Sequence, residues 1–233
     1  MISINTNTAA STAAYNLSST NTNLQRSLQK LSSGSRINSS FDDAGGLAVS
    51  MKLSASIRRT EATQANVNNA LSLLETQDGV LKNADKILNR LSELAQLSTD
   101  VTKSTTDKVL YQTEFSSLTN ALDSLTTEEF NGVALFADGG DTATVITSQD
   151  GEQNVEITIS DLKAILDDIN AGLTTGISNG ATSTEINTLD TAIQDLASLR
   201  ATNGSEQVRL TFAADMLAVN KTNLEAANGR ITD

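Results

Sequence analysis

The chain has 233 residues and a net charge of −12, with 16 lysines and arginines against 28 aspartates and glutamates. It contains no histidine, cysteine or proline. The missing histidine and cysteine exclude catalytic triads, thiol nucleophiles, disulfides and the usual zinc sites. The acidic balance argues against nucleic acid as a partner, because phosphate binding relies on lysine and arginine. We therefore expect a protein that is not an enzyme, with no catalytic residues, no cofactor and no metal site.

The same composition favours long helices. Proline, the residue that most firmly ends a helix, is absent, and aromatic residues make up only 3% of the chain. Small side chains on narrow stripes suit a helical bundle. We predict a mainly α fold: an elongated antiparallel bundle of long helices, a coiled-coil-like rod, with one small β-hairpin. No apolar run approaches the ~20 residues of a membrane span, so no membrane partner is expected, and the N-terminus has no cleavable signal pattern.

Residues 1–40 are rich in Ser, Thr, Asn and Ala and carry only a thin stripe of leucines. These leucines follow one another at spacings of seven, four and three residues: Leu17, Leu24, Leu28 and Leu31. A stripe this narrow does not stabilise an isolated helix against its ordering entropy. We predict a segment that becomes helical only beside a partner, with a plain disordered tail as the alternative. Gly34 and the residues up to Phe41 predict a loop.

Residues 41–137 are predicted to form the N-terminal half of the rod domain. Apolar residues recur every seven positions over 67–95, which predicts a helix of roughly 40 Å that residues 46–64 extend. A second helix is predicted to start near Asp107, as a cap, and to end at the turn around Asn131. Its apolar residues alternate at spacings of four and three: Tyr111, Phe115, Leu118, Leu122 and Leu125. The short connection makes the two helices antiparallel.

Residues 138–183 are predicted to close the rod. Two β-branched runs flank Asp150-Gly151, a strong hairpin signal. A short helix follows, capped by Ser160 or Asp161 and closed by Gly172. Residues 171–183 are rich in Gly, Thr and Ser and are predicted to form a loop. Asp42-Asp43 could be a carboxylate pair for metal or acid–base chemistry, but Ala44-Gly45-Gly46 follow it, and acids favour the positive end of a helix, so a loop-to-helix start is predicted. Residues 138–141 lack the spacing of a calcium loop.

Residues 184–233 are predicted to form the C-terminal helix of the rod domain, with an irregularity at Asn203-Gly204. Helix-compatible sequence reaches Asp233, where the chain looks cut. Apolar stripes left over on such helices favour side-by-side packing with copies of the chain. The alternative is a monomeric bundle whose stripes all face inward. The predicted assembly seams consist of seven leucines: Leu17, Leu24, Leu28, Leu31, Leu210, Leu217 and Leu224.

Five stretches in this order resemble bacterial flagellin: LSSGSRIN at 31–38, DDAGGLA at 42–48, RLSELA at 90–95, EFNGV at 129–133 and NLEAANGRI at 223–231. The resemblance implies a short form that lacks the large outer domains and also lacks the C-terminal helix. It also implies that residues 1–40 are an inner-tube segment that becomes helical only on assembly. It implies a secreted subunit of the extracellular flagellar filament, which polymerises with itself for motility. Its further partners would be the type III export apparatus and the filament cap.

The resemblance also implies a contact surface for the Toll-like innate receptor that detects flagellin, formed here by Arg90, Leu94 and Glu114. Arg90 and Leu94 lie four residues apart, so they share one helix face. The alternative is that Leu94 belongs to the intramolecular stripe while Arg90 is an ordinary solvated charge. Two other functions remain open for the whole chain: a hook–filament junction protein and a helical interaction module that does not polymerise.

Overall fold

A computed structural model describes residues 7–173 and 176–233. Residues 1–6 of the predicted inner-tube segment and residues 174–175 of the predicted loop lie outside the described residues. The elements follow one another in this order: α1 (Thr8–Ser33), α2 (Ala44–Ser98), α3 (Thr105–Thr126), β1 (Glu129–Phe130), β2 (Val133–Ala134), β3 (Asp141–Ile146), β4 (Asn154–Ile159), α4 (Leu162–Gly172) and α5 (Ser183–Thr232). The mainly α class predicted from composition is confirmed.

The described residues contain two antiparallel hairpins where the sequence predicted one. Strands β3 and β4 pair from Asp141 opposite Ile159 to Ile146 opposite Asn154, as predicted. The additional pair, β1 and β2, places Phe130 opposite Val133 around Asn131 and Gly132. Both turn residues have positive φ, 53° and 78°, which is the conformation that a two-residue hairpin turn requires.

The chain divides into two compact units. The first unit comprises residues up to Glu61 together with Val219–Asp233, and the second comprises Ala62–Ala218. Helices α2 and α5 each contribute residues to both units. This division groups the chain differently from the four segments expected at 1–40, 41–137, 138–183 and 184–233, which stay a prediction.

The core of the second unit forms around the stripe on α2 that the heptad spacing predicted. Its members are all fully buried: Val67, Leu74, Leu81, Leu88 and Ala95. From α3, Phe115 and Leu122 join this core, and from α5, Leu189 and Leu196. Helices α2 and α5 run antiparallel here, because Asp78 binds Arg200 at 3.1 Å while the earlier Leu74 accepts from the later Gln207.

Helix α5 continues through Asn203-Gly204, where the sequence predicted an irregularity. The buried Asn203 amide donates to the Leu74 carbonyl at 3.2 Å and to Gln77 Oε1 at 2.6 Å. Gln77 in turn donates to the Leu135 carbonyl at 2.8 Å. Because these buried amides find partners on α2 and after β2, the polar residue fits inside the helix without a break.

The hairpin β3–β4 is fixed to α5 by one buried carboxylate. Glu206 accepts hydrogen bonds from the Thr158 amide at 3.0 Å and from the Thr158 hydroxyl at 2.7 Å. Val155 and Ile157, on the inward face of β4, pack in a cluster with Leu210 of α5. Helix α4 then begins at the predicted cap, where Asp161 accepts from the Ala164 amide at 2.8 Å.

Helix α3 is capped by a different residue from the one expected. Ser104 is the N-cap and Asp107 occupies the third helical position, in a capping box in which each side chain bonds the other's backbone amide. The prediction that Asp107 itself caps the helix is therefore wrong by three residues. The reason is that a box of this kind satisfies two free helical amides, whereas an aspartate cap satisfies one.

The first unit holds α1, the start of α2 and the end of α5. The Ser50 hydroxyl donates to Asn228 at 2.8 Å and Glu61 binds Lys221 at 2.9 Å, so α2 and α5 are antiparallel here too. The loop predicted between Gly34 and Phe41 is confirmed by the helix bounds. Arg36 of this loop donates through its guanidinium to the Ile231 carbonyl at 2.7 Å.

The two aspartates before α2 act as the sequence predicted, at a loop-to-helix start. Asp42 accepts from the amides of Asn38 and Ser39, and Asp43 accepts from the Gly46 amide at 2.8 Å. These bonds use the carboxylates to satisfy backbone donors at the helix entry. Across 7–173 and 176–233, no helix has both the length and the apolar character needed to cross a bilayer.

Candidate functional site

The α2–α3 pair places Arg90 at the centre of an ion cluster. Arg90 Nε donates to Glu114 Oε1 at 2.7 Å, and its Nη1 donates to Glu93 Oε2 at 2.7 Å. Glu114 comes from the facing helix α3, whereas Glu93 lies one turn along α2. All three side chains keep a substantial exposed fraction. The cluster is therefore a surface feature in which one guanidinium joins two helices.

The ion pairs hold the charged Arg90 guanidinium in one orientation. The hydrogen bond to Glu114, followed by the one to Glu93, raises the pKa of Arg90 above its ordinary value. An arginine is already charged at every physiological pH. The guanidinium consequently presents a permanent, oriented donor surface. Its planar shape suits recognition of a carbonyl on a partner.

Leu94 is not part of that surface. Its side chain is 0% exposed and packs in the core of the second unit. The structure corrects the expectation that Arg90 and Leu94 face a partner together. Residues four apart on a helix are offset by about 40°, which is enough at the edge of a buried stripe to put Arg90 outside and Leu94 inside.

Two exposed leucines flank the cluster, and the sequence did not predict them as part of a contact surface. Leu110 lies one turn before Glu114 on α3, and Leu97 lies two turns after Arg90 on α2, so each shares a face with the ion cluster. The sequence did carry a signal for their exposure, because each leucine lies outside the apolar stripe that its own helix buries. The surface thus combines charge with exposed apolar side chains.

The predicted seam on α1 is exposed along its whole length. Helix α1 has no buried residue. Its leucines are 55–81% exposed: Leu17, Leu24, Leu28 and Leu31. Tyr15 adds a further exposed apolar side chain. A helix that buries nothing within its own chain draws little stability from tertiary packing.

The predicted seam on α5 needs a correction. Leu210 and Leu217 are buried against Val67 and Leu74 of α2, and Leu224 is partly buried. The leucines whose spacing of seven suggested contact between copies therefore pack within their own chain. The opposite face of α5 carries instead Val208, Phe212 and Met216, all exposed. At 100° per residue these three lie across the helix from Leu210.

The described residues hold no group of three or more carboxylates placed to bind a metal ion. The carboxylates named above are engaged with backbone amides, hydroxyls or basic side chains. The described surface offers a partner exposed apolar helix faces and, between α2 and α3, the ion cluster around Arg90.

Comparison with known proteins decides the family. A family model described as bacterial flagellin N-terminal helical region matches residues 4–141, more than half of the chain. The chain belongs to the flagellin family. Flagellin from Bacillus subtilis is 33% identical, over 99% of this chain and 86% of that protein. Flagellin FlaB2 from Treponema pallidum is 31% identical, also over 99% of this chain and 86% of its own length.

A solved flagellin structure agrees with this assignment, and a second solved structure has a similar fold. The crystal structure of Bacillus cereus flagellin is similar, with a TM-score of 0.57 and 28% identity over 70% of this chain and 94% of that one. A putative flagellar hook-associated protein from Vibrio parahaemolyticus has a TM-score of 0.69 at 14% identity, covering 82% of this chain and all of the other. At that identity the second likeness shows the fold alone.

Proposed function

We propose that this flagellin is a structural subunit that polymerises with copies of itself into the flagellar filament and so serves motility. Relatives over nearly the whole chain are flagellins, and one similar protein, from Treponema maltophilum, is named a flagellar filament core protein. The observation that carries the proposal is α1, a helix of 26 residues that buries no side chain within its own chain.

Packing between copies accounts for this exposed helix. Fully burying one leucine stabilises a structure by about 1.5–3 kcal/mol. Burial of the four α1 leucines between copies would thus stabilise an assembly by several kcal/mol that a lone chain does not gain. The outer face of α5, with Val208, Phe212 and Met216, offers a second apolar surface. Heterologous contacts between different surfaces that do not close into a ring produce open helical polymers.

Export and location follow from the same proposal. A filament subunit reaches the cell exterior through the flagellar type III apparatus and is placed at the growing tip under the cap. The acidic, cysteine-free chain suits this route, because no disulfide has to form or be broken during export. The protein would then reside in the extracellular flagellum.

The ion cluster supports a second contact, with the Toll-like innate receptor for flagellin. Arg90 and Glu114 supply the charged groups of this contact, and Leu97 and Leu110 supply apolar area beside them. Leu94 would act from beneath, by holding α2 against the core. An exposed arginine with adjacent apolar side chains is the composition found at many interface hot spots.

Labelled electron microscopy tests the filament proposal directly. The chain has no cysteine, so Glu152→Cys in the exposed β3–β4 turn gives one site for a gold label. We expect labelled protein, added to short filament seeds of a related flagellin, to be incorporated along the length of the growing filaments.

Two other results would contradict the proposal. Label found only at one end of the filaments would indicate a hook–filament junction protein. Protein that stays monomeric, with and without seeds, would indicate an interaction module that does not polymerise. The same label at Asp150→Cys, in the same turn, controls for an effect of the labelled position itself.

A further inference from the structure

The turn between β1 and β2 carries a side chain that is chemically poised to react with its own backbone. Asn131 is exposed and is followed by Gly132, whose amide has no hydrogen-bond partner among the described residues. An added Cβ at Gly132 would meet nothing within 4 Å. The turn is therefore open around Gly132, and no hydrogen bond holds its amide nitrogen in place.

We propose that Asn131 is a site of spontaneous deamidation. The Gly132 nitrogen attacks Asn131 Cγ and loses its proton, the bond from Cγ to the side-chain nitrogen breaks, and ammonia leaves. The product is a five-membered succinimide. Water then adds to one of its two carbonyls, which opens the ring to aspartate or to isoaspartate. The reaction needs water alone and involves no oxidation or reduction.

The structure selects this site from four Asn-Gly pairs in the chain, the others being at Asn179, Asn203 and Asn228. Asn203 is buried in α5 with its amide bonded to Gln77. Asn228 is also helical and accepts from Ser50. At Asn179, the following amide of Gly180 donates to the Ile177 carbonyl at 3.0 Å. Each competing pair thus lacks a free amide, a free side chain or both.

Local opening gives the reactive geometry. Strands β1 and β2 are two residues long and pair only with each other. Phe130 is partly buried against the core, whereas Val133 and Ala134 are exposed. A two-stranded hairpin this short is marginally stable, so its exposed turn opens locally while the buried Leu135 and Phe136 keep the following segment in place. Helical Asn-Gly pairs have to break several helix hydrogen bonds to reach the same geometry.

The product changes both charge and backbone. Aspartate or isoaspartate adds one negative charge to a chain whose net charge is already −12. Isoaspartate also lengthens the main chain by one bond inside a two-residue turn, which is incompatible with the pairing of Phe130 opposite Val133. Because ammonia is lost and the ring opens by hydrolysis, the modified fraction increases with the age of a subunit.

Peptide mapping by mass spectrometry tests the site. Cleavage after glutamate gives a fragment of residues 130–152 in which Asn131 is the only asparagine, and it places the other three pairs on separate fragments. After incubation of the native chain at mildly alkaline pH, we expect the fragment with Asn131 to gain a deamidated form at least several-fold faster than the other three. An isoaspartate-specific methyltransferase assay should label the same fragment.

Two comparisons make the test decisive. In denaturant the four rates should converge, because the selection comes from the fold. Asn131→Gln should remove the deamidated form of this fragment, since the longer side chain does not form the five-membered ring readily. The variant should keep the native circular dichroism. Equal rates at the four sites in the native chain, or faster reaction at Asn179, would overturn the proposal.

Discussion

Arg90 and Leu94 lie one helical turn apart, yet the Arg90 side chain is exposed and the Leu94 side chain is buried in the core. Family resemblance placed both in one contact surface, and the four-residue spacing agreed with it. Spacing alone does not show where the edge of a buried stripe lies, because that edge depends on how closely α3 and α5 pack against α2. Leu94 is fully buried, whereas Arg90 joins Glu93 and Glu114 outside.

Substitutions at these two positions should have different effects. Arg90→Ala should weaken receptor binding and leave helicity unchanged, because it removes surface donors and ion pairs that contribute little to stability. Leu94→Ala should lower the free energy of unfolding by about 2–5 kcal/mol, because it leaves a cavity. Chemical denaturation and a receptor-binding assay measure the two effects, and unchanged stability in Leu94→Ala would contradict the packing described above.

The capping box of α3 predicts a pH dependence at a single carboxyl. The hydrogen bond from the Ser104 hydroxyl is the main cause that lowers the pKa of Asp107 below 3.8. A lowered folded-state pKa means that the carboxylate stabilises α3 above its unfolded pKa and that this contribution is lost as pH falls through the folded value. Carbon NMR of Asp107 should show a midpoint below 3.8.

Ser104→Ala provides the matched comparison for that titration. Loss of the hydroxyl donor should move the Asp107 midpoint up toward its ordinary value, while Ser116→Ala, in the middle of the same helix, should leave it in place. An Asp107 midpoint that does not respond to Ser104→Ala would contradict the assignment of the cap.

Among the elements, the long helices were the most predictable. Five residues of α2 spaced seven apart, from Val67 to Ala95, are all buried. The β1–β2 pair was not predictable as strands, because two residues carry no periodic signal. At Asn203-Gly204, the sequence resembles a helix break, and only the partners on α2 and after β2 show why α5 continues.

Helix α2 contains an exposed glycine that offers a test of its own. A Cβ at Gly79 would meet nothing within 4 Å, so Gly79→Ala should raise the free energy of unfolding by about 0.5–1 kcal/mol through reduced backbone entropy. Thermal denaturation followed by circular dichroism measures the change.

Gly46, in the first turn of the same helix, should respond in the opposite direction. An added Cβ there would lie 2.5 Å from Asp43 Oδ2 and 2.7 Å from Ile37 Cδ1, so Gly46→Ala should destabilise the chain. A loss of stability in Gly79→Ala comparable to that in Gly46→Ala would show that α2 is not a continuous helix through residue 79.

For the whole molecule, the distribution of apolar side chains separates what the chain needs alone from what it offers to copies. The leucine stripe of α1 was predicted from the sequence because its leucines recur at helical spacings in a segment that otherwise consists mainly of small and polar residues. The outer face of α5 was missed, because Leu210 and Leu217 have the more regular spacing and are used inside the chain. Periodicity identifies a seam, but only packing shows which partner covers it.

Seeded polymerisation of an α1 variant tests this account most directly. Leu24→Ser with Leu28→Ser removes apolar area from the exposed face, and Gln25→Ser with Gln29→Ser makes two changes to serine in the same turns as a control. With sedimentation as the measure of incorporation into flagellin filament seeds, we expect the leucine variant to lose most of its incorporation and the glutamine variant to match the unmodified chain. Incorporation of the leucine variant at the unmodified level would contradict a role for α1 in joining copies.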